Sequence, residues 1–217
     1  MNRMFTAALL LAAMTTMAAA AEGPKTMFLG AQLTNGTADL ATELSSGFNG
    51  FAPAFDHSEW GWKVEYWNMM GSEYALTASG GMGLFSEEDK PGNGAAPGDG
   101  TQKYTQSSWN FRIGGDRMLM IGDKSYVFFG PGIEYWTGKA KFEDATPPAA
   151  SYETENTTRI SLDARLGGHM MVGPTWGLTA EVGTKIGRAT YKENGAETTW
   201  MPSSMEGSVG LVFKFGK

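Results

Sequence analysis

Few residues of this chain have the types and spacing that catalysis requires. The sequence contains two histidines, and one of them, His57, is followed directly by Ser58 and Glu59. A histidine, a hydroxyl and a carboxylate form the triad of many hydrolases, in which the histidine accepts the hydroxyl proton and the acid orients the histidine. Neighbouring side chains of a strand point to opposite faces, however, so His57 and Ser58 are badly placed for each other. The three residues are weak catalytic candidates, and we predict no enzymatic activity.

Residues that hold metals or cofactors are equally sparse. The chain has no cysteine, which excludes disulfides and thiolate metal sites. The glycine-rich run from Gly80 to Gly83 lies inside a predicted strand and leads into no helix, unlike a nucleotide-binding loop. We expect the second histidine, His169, to be a hydrogen-bonded interior residue. The sequence therefore predicts neither a metal site nor a cofactor.

Charged residues instead alternate with apolar ones, most clearly in residues 158–172. Apolar side chains occupy most even positions, and Arg159, Asp163, Arg165 and His169 occupy odd positions. Because successive side chains of a strand point to opposite faces, this segment is predicted to be a strand with one apolar and one charged face. It is much longer than the usual five or six residues. Such a strand needs special surroundings on at least one face.

The N-terminus indicates the compartment. Residues 1–21 combine Arg3, an apolar run from Phe5 to Met14 and three alanines before Glu22, which is the pattern of a cleaved secretory signal peptide. We expect the mature chain to be residues 22–217. The full chain has a net charge of −6, and loss of the single charge of Arg3 makes it −7. This acidity argues against a nucleic-acid partner.

Alternation with a period of two recurs eight times in the mature chain, and no long helix is indicated. The connections are alternately long and short, which places the long loops at one end of an up-and-down sheet. An even strand count lets the first and last strands pair and removes open edges. Pro131 lacks a backbone N–H, so we expect a bulge or kink there. The predicted strands cover approximately residues 26–34, 59–68, 73–85, 104–118, 125–137, 156–172, 176–190 and 205–215, and the long loops cover residues 35–58, 86–103, 138–155 and 192–204.

A barrel with this pattern is either soluble, with its apolar face around a ligand, or embedded in a membrane, with its apolar face outside. Many glycines lie on the polar face, and a narrow lumen has more reason to collect small residues than a water-exposed surface. Basic and acidic residues on that face are nearly balanced, as enclosed charges must be. These features favour the membrane barrel. The predicted lumen charge network comprises Lys63, Glu65, Arg112, Asp116, Glu134, Arg159, Asp163, Arg165, Glu181, Lys185 and Lys214.

Aromatic residues of the apolar face concentrate near the ends of the predicted strands. Amphipathic rings gather at the two interfaces between membrane and water. Most of the predicted strands reach or approach the 9–11 residues that a tilted strand needs to cross a membrane. The predicted aromatic girdle comprises Trp60, Trp62, Tyr74, Trp109, Tyr135, Trp176 and Phe215.

The mature chain resembles the small eight-stranded outer-membrane β-barrels of the OmpA membrane domain, OmpX, Ail and opacity-protein type. The likeness rests on residues 126–135, on the alternating loop lengths and on the C-terminal strand. In that strand Gly210, Phe213 and Phe215 resemble the signal read by the barrel-assembly machinery, although two residues follow the last aromatic. The resemblance implies an all-β, eight-stranded antiparallel up-and-down transmembrane barrel in the outer membrane of a Gram-negative envelope. It also implies long extracellular loops and short periplasmic turns.

The resemblance further implies a structural or adhesion-like surface-interaction role for a barrel with a plugged lumen. Its partners would be outer-membrane lipids and lipopolysaccharide, the assembly machinery during biogenesis, and a surface ligand bound through the long loops. Phe48, Phe51 and Phe55 in the first loop fit such a ligand or a patch resting on the barrel rim. Three alternatives stay open: an enzyme that acylates or deacylates lipid A, a small porin-like channel, and a soluble periplasmic ligand-binding barrel.

Overall fold

The chain folds into a single antiparallel β-sheet. A computed structural model describes residues 26–37, 58–89, 102–144, 150–153, 157–193, 196–201 and 203–216. None of these residues belongs to a helix long and apolar enough to cross a membrane. Eight strands form the wall of a barrel, and two short strands, β6 (Ala150–Glu153) and β9 (Ala196–Trp200), extend it. The wall strands are β1 (Met27–Thr37), β2 (Ser58–Met69), β3 (Tyr74–Asp89), β4 (Gln102–Ile121), β5 (Ser125–Asp144), β7 (Thr157–Met171), β8 (Trp176–Glu193) and β10 (Ser203–Phe215).

The sheet closes on itself because β1 pairs with both β2 and β10. The order round the wall follows the chain, and β10 completes the ring by pairing with β8. The register, followed once round the barrel, returns to β1 ten residues beyond its starting point. Such a stagger accompanies strands tilted by roughly 35–45°. Closure gives each wall strand two partners, as a sheet surrounded by lipid requires. The predicted eight-stranded barrel is confirmed.

Tight connections define one end of the barrel, here called the turn end. They cover residues 70–73, 122–124 and 172–175. Gly71 and Gly122 have φ angles of 85° and 64°, a left-handed backbone that glycine adopts without steric cost. β1 begins and β10 ends at this same end, because Met27 pairs with Phe215.

The strands run further at the opposite end, here called the loop end, than the sequence predicted. β3 continues to Asp89, β5 to Asp144 and β8 to Glu193. β9 pairs with β8 as a hairpin and keeps the register that β10 continues. The predicted loops 86–103, 138–155 and 192–204 are therefore wrong in extent, because polar residues pair as strands where a neighbouring strand offers its backbone groups. Most of the predicted loop 35–58 lies outside the described residues.

Pro131 interrupts the sheet without a bulge. The pairing of β4 with β5 omits Gly115 and Asp116 opposite Gly130 and Pro131, yet the register is identical on both sides of this gap. No residue is inserted, so of the expected bulge or kink the bulge is wrong. Proline cannot donate to the ladder, which accounts for the missing pairs. On its other side, Pro131 still lies opposite Ala164 of β7.

The two faces of the wall have the polarity of a membrane barrel. Outward side chains are apolar and exposed; Leu33, Ile160, Leu162 and Val209 each have 60–64% of their surface accessible. Inward side chains include most of the buried charged residues. A barrel with an apolar exterior and a polar interior is suited to lipid. The soluble alternative requires the opposite polarity and does not fit.

Closure of the wall predicts heat modifiability. A ring of interstrand hydrogen bonds without an open edge should resist SDS at room temperature and unfold on boiling. The protein, extracted in mild detergent, should therefore migrate at two positions on SDS gels, one for unheated and one for boiled samples. A single position under both conditions would contradict a closed barrel.

Candidate functional site: the barrel lumen

A network of charged side chains fills the middle of the lumen. Its members come from six of the eight wall strands, and all but Glu206 have less than 10% of their side-chain surface accessible. Strand alternation places them there, because each occupies an inward position of its strand. The network contains five basic residues, Lys63, Arg112, Arg159, Arg165 and Lys185, and six acidic ones, Glu65, Asp116, Glu134, Asp163, Glu181 and Glu206.

Arg165 lies at the centre of this network. Its Nη2 donates to Oδ2 of Asp116 at 2.5 Å, and its Nη1 contacts Glu65 and lies 3.3 Å from Oε2 of Glu181. Three carboxylates thus surround one guanidinium, whose planar fork suits several simultaneous hydrogen bonds. Buried charges are tolerated when they are paired and hydrogen-bonded in this way.

Two further groups of ion pairs continue the network. Arg112 binds Asp163 through two nitrogens, one of them at 3.1 Å, and donates to Oγ1 of Thr77 at 3.0 Å. Lys185 bridges Glu134 at 2.6 Å and Glu206 at 2.5 Å. The first pair is bidentate, which adds geometric specificity to its charge.

The remaining basic side chains tie these groups together. Lys63 pairs with Glu181 and lies 3.7 Å from carboxylate oxygens of both Glu65 and Glu206. Nη2 of Arg159 lies 3.4 Å from Oε1 of Glu134. The charges therefore form one continuous assembly rather than separate pairs.

The predicted network differs from the observed one at two residues. Lys214 lies apart from the network: its Nζ donates to the hydroxyl of Tyr126 at 3.2 Å and sits 5.6 Å from the centre of that ring. None of the described carboxylates forms an ion pair with it. Glu206, which the sequence reading omitted, takes its place by bridging Lys185 and Lys63. Glu206 lies two residues before the inward residue Ser208, so the alternation of the strand could have predicted that it faces the lumen.

An apolar layer closes the lumen on the turn side of the network. Each of the eight wall strands contributes one inward side chain, and none of these has more than 3% of its surface accessible. The residues of this plug ring are Phe28, Trp67, Ala75, Met118, Phe128, His169, Thr179 and Val212. The alternation in the sequence also puts Phe28, Trp67, Phe128 and Val212 on the inward face, but alternation alone does not show that they lie in one layer.

His169 is the hub of the plug ring. Its ring centre lies 5.1 Å from that of Phe28, 4.7 Å from that of Trp67 and 4.9 Å from that of Phe128. Its Nδ1 shares a hydrogen bond of 3.0 Å with Oγ1 of Thr179. The structure thus places His169 among aromatic rings, and none of the described carboxylates bonds to it to orient it as a catalytic base.

Arg165 and Asp116 join the plug ring to the charge network. The guanidinium carbon of Arg165 lies 5.6 Å from the ring centre of Trp67 and 5.2 Å from that of Phe128. Asp116 accepts a hydrogen bond of 3.2 Å from Nε1 of Trp67 while it pairs with Arg165. A cation over an aromatic face is attractive when desolvated.

Glycines provide the space that these large side chains occupy. A Cβ added at Gly132 would lie 2.5 Å from Nη2 of Arg112, and one added at Gly30 would lie 2.9 Å from Cζ3 of Trp67. Real Cβ atoms do not approach other atoms so closely. The glycines on the inward face therefore leave the space that the guanidinium and indole groups occupy, as the narrow lumen led us to expect.

The other predicted residues fall into three groups. All seven girdle aromatics point outward: Trp60, Trp62, Trp109 and Tyr135 lie toward the loop end, and Tyr74, Trp176 and Phe215 lie at the turn end. Phe213 and Phe215 of the predicted assembly signal also point outward, whereas Gly210 lies at an inward position.

The three catalytic candidates do not form a site in the described residues. The backbones of Ser58 and Glu59 begin β2, and His57 lies outside the described residues, as do Phe48, Phe51 and Phe55.

No reactive constellation occurs in the part of the chain that the structure describes. Within it, no group of three or more histidine or acidic side chains could hold a metal ion. The lumen carboxylates are engaged by lysine and arginine side chains. The arrangement is suited to filling and stiffening the barrel.

Comparison with known proteins agrees with this architecture. No family model matches the sequence, and no curated protein matches it. Among solved structures, the outer membrane protein OprG from Pseudomonas aeruginosa matches with a TM-score of 0.54 at 10% identity, over 89% of this chain and 97% of OprG. The fold is that of an outer-membrane β-barrel. Identity this low indicates a shared fold and nothing finer.

Two smaller barrels match over similar lengths. Ail, the attachment invasion locus protein of Yersinia pestis, matches with a TM-score of 0.48 at 13% identity, over 90% of this chain and 100% of Ail. Neisserial surface protein A matches with a TM-score of 0.46 at 12% identity, over 89% of this chain and 100% of that protein.

Replacement of the central cation tests the network. Arg165→Gln leaves several buried carboxylates without their partner, so we expect the free energy of unfolding to fall by about 3–5 kcal/mol. Arg117→Gln is the matched control, because Arg117 pairs with Glu73 at the surface, where both side chains are nearly half exposed. Its loss should cost less than about 1 kcal/mol. Urea titrations of the folded barrel in lipid vesicles measure both values; equal losses would contradict the network.

Addition of one methyl group tests the role of the inward glycines. Gly132→Ala should crowd the Arg112 guanidinium and lower the free energy of unfolding by about 1–3 kcal/mol. Gly207→Ala provides the control, because the nearest atom to its added Cβ is a backbone oxygen at 3.9 Å. The same urea titrations compare the two variants. If Gly132→Ala were as stable as the parent, the close packing described above would be wrong.

Proposed function

We propose that this protein is an integral outer-membrane barrel that serves as a rigid scaffold and acts through the surface at its loop end, in a structural or adhesion-like role. Its lumen is filled by the charge network and the plug ring, which supports a scaffold rather than a reaction chamber. Its outward face would contact outer-membrane lipids and lipopolysaccharide.

The extension of the strands beyond the aromatic girdle carries this proposal. β4 continues seven residues beyond Trp109 to Gln102, and β5 continues nine beyond Tyr135 to Asp144. At about 3.3 Å per residue, these extensions measure roughly 23 and 30 Å along the strands. For strands tilted by roughly 35–45°, these lengths correspond to heights of roughly 16–19 and 21–25 Å along the barrel axis. The sheet therefore projects past the level at which aromatic rings meet the membrane interface.

The chemistry of the projection is that of a solvated surface. Lys141 and Glu143 pair on the outward face of β5, where both side chains are more than 40% exposed. The hydrogen bond from Lys141 lowers the pKa of Glu143. Exposed charges at this position contrast with the apolar outward residues nearer the turn end, so this part of the sheet is available to a soluble or cell-surface partner.

Enzymatic activity has less support in the described residues. The lumen histidine is enclosed by rings, and no described hydroxyl lies between a histidine and an acid. A lipid A-modifying role would depend on His57, which lies beyond the described strands. Unchanged lipid A in cells that carry His57→Ala would remove this alternative.

Shortening the β8–β9 hairpin tests the surface role. Residues 190–199 would be replaced by Asn-Gly, which forms the tight turn that hairpins prefer. Within this segment only Thr190 pairs with a neighbouring wall strand, at Thr158 of β7, so the variant should keep its gel shift on heating. Fluorescent vesicles containing the parent protein should be retained on surfaces coated with fibronectin, laminin or heparin, and vesicles containing the variant should lose at least half of that retention.

The turn end supplies the matched control. The double variant Asp123→Ala, Lys124→Ala alters the opposite rim and should bind as the parent does. Parent vesicles that bind none of the three coatings above the level of protein-free vesicles would contradict the proposal, as would a hairpin variant that binds as well as the parent.

A further inference from the structure

The lumen has different contents on the two sides of Arg165. Toward the loop end it is polar and incompletely filled: a cavity of about 20 Å³ lies among the charged side chains, and a second of about 40 Å³ lies beyond it. A cavity needs about 10–15 Å³ to hold one water molecule, and it needs polar partners for that water. Both cavities meet these conditions, because lysine, arginine, serine and asparagine side chains line them.

Toward the turn end the lumen is dry. Phe28, Trp67, Phe128 and Val212 have no accessible surface, and Met118 has 1%. Met69 and Met171 pack beneath them as part of the same apolar cluster. All eight wall strands contribute a buried side chain to the plug ring, and its polar side chains are confined to His169 and Thr179, which bond to each other.

We infer that the plug ring, and not the charge network, is the permeability barrier of this barrel, and that the lumen on the loop side of Arg165 is a hydrated chamber. Charged groups can exchange partners with water and ions, so a network of ion pairs yields to a passing ion more readily than a dry constriction. Apolar constrictions close channels because water leaves them. Ions that enter from the loop end would stop at Trp67 and Phe128.

Conductance of plug variants tests this inference. Trp67→Ala combined with Phe128→Ala removes the two rings beneath Arg165, and in planar bilayers we expect channel currents at least tenfold above the parent. Arg112→Gln combined with Asp163→Asn is the matched control, because it removes a buried ion pair of the network and leaves a polar side chain at both positions. This control should pass no more current than the parent.

The absence of cysteine from the chain permits a direct check of the route. Ser204 lines the cavity of about 40 Å³ and is 8% exposed. Ser204→Cys, added to the plug variant, should let a bulky methanethiosulfonate reagent applied from the loop side reduce the current by more than half. The same reagent should leave the cysteine-free plug variant unchanged.

The other outcomes overturn the inference. Plug variants that are folded but pass no more current than the parent would show that another element blocks the lumen. Conducting network variants would assign the barrier to the ion pairs. If the double alanine variant loses its heat-dependent gel shift, the single variants Trp67→Ala and Phe128→Ala replace it, since each removes only one ring, and the same comparison of currents applies.

Discussion

The guanidinium of Arg165 is the contact on which the interior of this barrel depends. It meets three carboxylates on one side and lies over Trp67 and Phe128 on the other. A buried charge is stable only when neighbouring dipoles and charges replace the water it has lost. Here the replacement comes from residues far apart in sequence, which closure of the wall brings together. The plug ring and the charge network are therefore mutually dependent layers.

The closed wall explains why the plug ring and the charge network can differ so sharply in composition. With eight strands and a stagger of ten residues, each level of the lumen receives one side chain from each strand. A level built from Phe28, Trp67 and Phe128 is dry, and a level that mixes glycine with Arg112 leaves room for its guanidinium. The properties of the lumen thus change over a few residues of strand length.

Much of this could be predicted from the sequence, because a period of two needs no tertiary information. Alternation identified the wall strands and placed all eleven predicted network residues on the inward face, and ten of them join the charge network. It failed where the outcome depends on partners across the barrel. Lys214 lies on the correct face, but Tyr126 rather than a carboxylate lies opposite it. Glu206 joins the network because Lys185 and Lys63 face it from other strands. The extent of the loops was likewise misjudged, since pairing beyond the girdle depends on the neighbouring strand and not on local composition.

The pairing of glycine with a large side chain has a consequence for how such a sequence can diverge. Gly132 accommodates Arg112, and Gly167 accommodates Phe128, on different strands. Enlarging one member of such a pair is harmful until the other becomes smaller, so the two positions should change together during evolution. A related chain that bears alanine or valine at the position of Gly132 should have a shorter side chain in place of Arg112. Substitution in the lumen is then coupled across the barrel, whereas outward positions, which face fluid lipid, are free to vary singly.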